Sequence, residues 1–203
     1  MPDLQSPLVE ISTSLHQSGV DGGAKLSVQE LPFRSHFNIR GDVSDARFRE
    51  AVEKVTGLTL PTRPNTVSRA QDSLAAWLGP DEWLLIGLAQ SNLEKSLIEA
   101  LEGQHTAVVD VSGGQTIVRL SGPAWRDVVS SACPLDLHSR AFAEGQCAQT
   151  IFAHANVVLV HVSTSDQDDA VDIIIRRSFS DHVMRWVMDA AGECGFEIRK
   201  PLV

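Results

Sequence analysis

Two stretches of this chain repeat the same apolar signature 77 positions apart. Phe48, Ala51, Val52 and Val55 fall at the i, i+3, i+4, i+7 spacing, and so do Trp125, Val128, Val129 and Ala132. That spacing places four side chains on one face of a helix. Each stripe is followed by the same exit, L-x-L-x-x-R, as Leu58-Thr59-Leu60-Pro61-Thr62-Arg63 and then Leu135-Asp136-Leu137-His138-Ser139-Arg140. A shared helix face and a shared exit at one offset predict one structural plan used twice.

The elements around each stripe agree. Phe37–Arg40 reads as a strand entering a helix capped by Ser44 or Asp45 and ended by Gly57. Ser73–Leu78 and Trp83–Leu88 are apolar runs split by Gly79-Pro80-Asp81-Glu82, which is hairpin chemistry. Ser91, with Glu94 three residues on, opens a second helix through a capping box. Thr106–Val111 is a strand. The order is β-α-β-β-α-β. It restarts with the strand Gln115–Leu120, a helix introduced by Pro123, the strands Cys147–Ala153, Val157–Val162 and Val171–Arg176, a helix from Ser180, and Phe196–Ile198. The expected fold class is therefore α+β, with tandem split β-α-β units and antiparallel or mixed sheets. The expected divisions are an extended N-terminal arm over 1–33, a first unit over 34–112, and a second over 113–203 with an added strand. Leu8, Val9 and Ile11 give the arm an apolar patch that could dock.

Composition narrows the function. A formal net charge of −9 argues against nucleic acid and anionic membranes, which need a basic face. Cys133, Cys147 and Cys194 form no C-x-x-C pair, so zinc or dithiol chemistry has no support and reduced thiols are expected. Met1-Pro2-Asp3 lacks a signal-peptide pattern, and runs such as Val157–Val162 are too short to span a bilayer, so a cytoplasmic location is expected.

No constellation assembles into a catalytic set. Gly113-Gly114 lies between two strands, not before a helix, so it reads as a turn or bulge and not as a phosphate cradle. His154 and His161 lie in one hairpin without a third ligand, and read as structural histidines; His105 and His138 are loop residues. Asp81-Glu82, Asp166, Asp168-Asp169 and Asp172 supply carboxylates, but Ser163–Asp169 lacks calcium-loop spacing and reads as a solvated loop. Neither serine nor cysteine sits in a nucleophile motif. Arg176-Arg177-Ser178-Phe179 is a small basic site suited to an internal or interface pair, or to a carboxylate.

Several pieces together resemble a known family. Val109-Asp110-Val111-Ser112, Arg119-Leu120-Ser121-Gly122-Pro123, Cys133-Pro134-Leu135-Asp136-Leu137-His138, Gly145-Gln146-Cys147-Ala148-Gln149-Thr150 and Arg176-Arg177-Ser178-Phe179 resemble the gamma (small) subunit of heterotetrameric sarcosine oxidase. Gly79-Pro80-Asp81-Glu82-Trp83-Leu84-Leu85 and Ser6-Pro7-Leu8 fit it too. That family is related to the folate-binding aminomethyltransferases of the glycine cleavage system and to folate-dependent iron–sulfur cluster maintenance proteins. The resemblance implies a complex that demethylates sarcosine to glycine with hydrogen peroxide, and that yields 5,10-methylenetetrahydrofolate when tetrahydrofolate is present. It implies alpha, beta and delta subunits as partners, with FAD, FMN, NAD and the tetrahydrofolate site on the larger subunits and no cofactor on this chain.

The departures bear on the sites. No counterpart of the aminomethyltransferase aspartate pair is found before Trp77. Of the K-G-C-aromatic-x-G-Q-E motif of the cluster-maintenance proteins only Gly145-Gln146 is kept, with Phe142 at the cysteine's place and Cys147 at the glutamate's. The expectation is a small, non-catalytic structural subunit with no catalytic, cofactor-binding or metal-binding residues. The alternative is a stand-alone folate-binding or aminomethyltransferase-like protein. Exposed apolar surface from Trp77, Trp125 or Trp186 and the arm is expected to mark the partner face.

Overall fold

A computed structural model describes residues 4–11, 16–71, 73–87, 92–163 and 169–202. In chain order the elements are β1 (His16–Ser18), β2 (Leu26–Leu31), β3 (Ser35–Arg40), α1 (Ala46–Thr56), β4 (Val67–Ala70), β5 (Ser73–Gly79) and β6 (Glu82–Gly87). Then follow α2 (Leu93–Ala100), β7 (Ala107–Asp110), β8 (Gln115–Ser121), α3 (Trp125–Ser130), β9 (Cys147–Phe152), β10 (Ala155–Ser163), β11 (Asp169–Arg176), α4 (Arg177–Ala190) and β12 (Gly195–Arg199). A short 3-10 turn at Ser112–Gly114 holds the glycine pair. The class is α+β, as the residue pattern predicts. The chain forms two compact units, one of residues 33–113 with 145–147 and one of 1–32, 114–144 and 148–203.

The smaller unit is an antiparallel sheet in the order β4-β5-β6-β3-β7. Its core is formed by strand residues of alternating parity, Phe37, Ile39, Ala75, Trp83 and Leu85, against Phe48 and Val52 of α1 and Leu97 of α2. The predicted stripe is thus the buried face of α1. Asp45 is the cap, accepting from the Arg47 amide at 2.9 Å, and Gly57 closes the helix at φ 70°, a conformation open to glycine at little cost. Gly41 must stay without a side chain, because a Cβ there would lie 2.5 Å from the Phe48 ring. Ser91, the expected cap of α2, lies outside the described residues.

The larger unit holds a mixed sheet in the order β1-β12-β2-β8-β11-β10-β9, with β12 parallel to β2 and with β1–β12, β2–β8, β8–β11 and β11–β10 antiparallel. Its core joins Val28, Val118, Leu120, Leu159, Val171 and Ile173 to Trp125 and Val128 of α3 and to Val183 and Val187 of α4. The two sheets share a plan. A three-strand meander (β4-β5-β6, β9-β10-β11) follows the first helix, its last strand pairs with the strand that precedes that helix (β3, β8), and a second helix precedes the final strand.

Two features differ from the sequence expectation. The third meander strand of the second copy is not an addition, because β4 matches it in the first; the pattern missed β4 because Val67–Ala70 is short and only half-buried. The extra strands are β2, inserted between β8 and β12, and β1, which pairs with the far side of β12; both are supplied by the stretch expected as an arm. Leu26 and Val28 bury one face of β2 in the core. Leu8 and Ile11 of that stretch also enter the core, and Arg177 donates to the Gln5 carbonyl at 2.9 Å.

Candidate functional site

A cluster of titratable and aromatic side chains gathers at the buried start of α3 in the larger unit. His161, on β10, lies two residues before the end of its strand. Trp77 holds the same place in β5. The imidazole is enclosed between the Trp125 ring at 5.5 Å and the Phe142 ring at 5.7 Å. Its Nε2 donates to Asp169 Oδ1. Asp169 also takes the Arg126 guanidinium, Nε to Oδ2 at 3.2 Å, and that guanidinium covers the Trp125 face at 4.2 Å, a cation–π arrangement. A second Arg126 nitrogen donates to the Leu137 carbonyl and, at 3.4 Å, to that of Phe142. Partial burial pushes the Asp169 carboxyl up, but the His161 bond and the Arg126 charge outweigh it and hold it below the usual carboxylate range.

The register explains the meeting. Ser163 pairs with Asp169 at the mouth of the β10–β11 connection, which brings residue 169 beside residue 161. Asp169 is therefore held by ion pairs while its side chain stays 51% exposed to solvent; residues 164–168, with Asp166 and Asp168, lie outside the described residues. The smaller unit echoes part of this design. Arg49, 77 positions before Arg126, also follows the helix aromatic and donates to a backbone carbonyl, that of Val43.

This arrangement offers little for catalysis. A general base must present a free nitrogen to substrate. His161 commits Nε2 to Asp169, and its Nδ1 is enclosed with no partner among the described residues. The residues standing at the lost motif positions are packing groups. Phe142 is the buried ring against His161. Cys147 is buried, its thiol facing the Thr66 and Trp77 carbonyls at 3.5 Å, and burial pushes that thiol up to about 11 despite the Trp77 bond. Among the described residues no group of three metal-binding side chains occurs.

The other sequence candidates scatter. Asp81 pairs with Arg40 at 2.6 Å, and Glu82 accepts from Asn38 at 2.7 Å. Asp172 is bound by Arg119 through two hydrogen bonds of 2.6 and 2.8 Å. His154 stands edge-on to Trp186 at 6.4 Å, and His182 bonds the Ala153 carbonyl at 2.8 Å. Of the tryptophans expected on a partner face, Trp125 is fully buried and Trp77 half-buried, because both lie on core-facing positions. Trp186 alone of the three stays open, 38% exposed, one side of α4 from Phe179. No helix among the described residues is long and apolar enough to cross a membrane.

Comparison with known proteins decides the family. Residues 40–193 match the sarcosine oxidase, gamma subunit family. The chain belongs to that family. A sarcosine oxidase gamma subunit from Corynebacterium sp. (strain P-1) is 30% identical over 194 residues, which is 95% of this chain and 92% of that relative. A chain of heterotetrameric sarcosine oxidase from Corynebacterium sp. U-96, solved in complex with pyrrole 2-carboxylate, superposes on this gamma-family fold with a TM-score of 0.81 at 26% identity. That match covers 94% of this chain and 96% of the other. The glycine cleavage aminomethyltransferase T of Bartonella henselae shares the fold at TM-score 0.67 and 12% identity, over 97% of this chain and 60% of its own. The fold shared with an aminomethyltransferase, which the resemblance implied, is thus present.

Proposed function

We propose that this chain is a small structural subunit of a heterotetrameric sarcosine oxidase, and that it carries no catalytic residues of its own. The complex would demethylate sarcosine to glycine with release of hydrogen peroxide, and would form 5,10-methylenetetrahydrofolate when tetrahydrofolate is present. Alpha, beta and delta subunits are the partners, and FAD, FMN, NAD and the folate site reside on the larger ones. The work is done in the cytoplasm.

The observation that carries this reading is the full-length likeness to a chain of such a complex, joined to a His161–Asp169–Arg126 cluster whose polar groups are turned on one another. A fold kept whole while its most reactive-looking group serves packing is what a scaffold requires. The test is reconstitution. The chain purified alone should show no flavin absorbance and no sarcosine-dependent peroxide. Co-expressed with the other three subunits, it should co-purify in fixed ratio with flavin and activity. A colourless chain that binds none of them would refute the proposal, as would sarcosine oxidation by the chain alone.

A further inference from the structure

Among the described residues of the smaller unit, β7 is the last strand of its sheet, bonded to β3 on one side only. The Val111 amide donates to the His36 carbonyl at 2.8 Å. Residues 107, 109 and 111 therefore bond inward, and the alternation of an antiparallel ladder turns the amides and carbonyls of Val108 and Asp110 outward. Beside that edge runs a groove of about 360 Å³ between β7 and the end of α2. Its floor is Leu101 and Val108, and its wall includes Ile98, which is 52% exposed. On the other side of the edge Val109 is 50% exposed. Glu99 and Glu102 line the rim, Glu99 holding Lys95 loosely at 3.7 Å, and Asp110 adds a third carboxylate at the strand end.

We propose that this edge is a docking site for an extended segment of a partner subunit, which adds a sixth strand to the sheet through Val108 and Asp110. Open strand edges pair with foreign strands when nothing covers them. The chemistry of the occupant follows from the site. It needs one aliphatic side chain for the groove beside Ile98 and Leu101, and Lys or Arg next to it to meet Glu99, Glu102 and Asp110. A β-branched or aliphatic residue of opposite parity would cover Val109. The acidic rim sets the sign of the partner, since like charges across an interface are strongly disfavoured. The inference rests on the subunit reading above and adds to it where one contact is made.

Hydrogen–deuterium exchange on the free chain and on the complex co-expressed with the other three subunits tests it. The amides of Val108 and Asp110 should exchange about tenfold or more slowly in the complex, as new ladder bonds form. In parallel, the exposed-site variant Ile98→Arg/Glu102→Lys should lower affinity for the partner subunits about tenfold, with the circular dichroism of the free chain unchanged. An assembled, active complex whose Val108 and Asp110 amides exchange as in the free chain overturns the docking site and leaves the subunit reading standing. So does a folded double variant that assembles as the parent does. Failure of the parent chain to bind any of the three subunits overturns both.

Discussion

The paired charges of Arg119 and Asp172 give the sharpest test of how the larger unit is held together. They face one another directly across β8 and β11, joined by hydrogen bonds of 2.6 and 2.8 Å, with side chains only 19% and 12% exposed. At about 4 Å between charge centres and an effective dielectric near 20, the attraction is about 4 kcal/mol. Desolvation of two ions costs a comparable amount, so the intact pair contributes little net stability against an apolar pair of equal volume. Breaking it is another matter. Asp172→Leu leaves a guanidinium in the sheet without its partner, and Arg119→Met leaves a carboxylate. Each should cost about 3 kcal/mol, the low end of the range for buried pairs because the Arg119 side chain reaches some solvent. In a chain of this size that is a fall of about 6–12 °C in Tm. The double variant Arg119→Met/Asp172→Leu should return to within about 1 kcal/mol of the parent. Urea unfolding followed by circular dichroism gives the four corners of the cycle. Additive losses, or single losses below about 1 kcal/mol, would show that the charges are not interdependent and would refute the reasoning.

Three further outcomes are expected. His36 is almost wholly buried, and burial pushes its imidazole down to about 4 against the opposing Arg34 carbonyl bond and Asp110 charge. The unfolded chain therefore binds the proton first, and stability should fall by up to about 3 kcal/mol as pH drops from about 6.5 to about 4; His36→Leu should flatten that stretch of a pH–stability curve. With a thiol near 11, Cys147 holds about one thiolate in a thousand at pH 8. Native protein treated with a disulfide reagent should react first at the part-exposed Cys194, and at Cys147 only in denaturant, with mass mapping to read the order. Leu8→Ala removes a fully packed side chain of the larger core and should cost about 2–3 kcal/mol; a loss near zero in urea melts would mean the N-terminal stretch does not dock.

Local order was readable, and long-range partnership was not. The stripes at Phe48 and Trp125 declared their helices because four apolar groups at helical spacing have one way to be buried. By the same logic Trp125 belonged in the core, and expecting it on a partner face ignored its own stripe. β2 escaped because Leu26 and Val28 give only a short alternation amid glycine and proline, and its partners β8 and β12 lie far along the chain. Asp169 escaped for a related reason. Its neighbours in sequence are polar, and the Arg126 and His161 that fix it are brought near only by the hairpin register and the packing of α3.

The parallel pairing of β12 with β2 sets an order of events during synthesis. Residues 33–113 and 145–147 make up the smaller unit, so all of its chain is available well before synthesis ends. The larger unit cannot be completed then, because β2 stays without a neighbour on one side until residues 195–199 emerge. Until then Leu26 and Val28 have no finished core to enter, and contacts of such span form slowly. A force-sensitive arrest sequence placed at successive lengths should register two pulls, the first once residue 147 clears the exit tunnel and the second only after residue 199. During that interval the N-terminal stretch is the part of the nascent chain that most needs shielding.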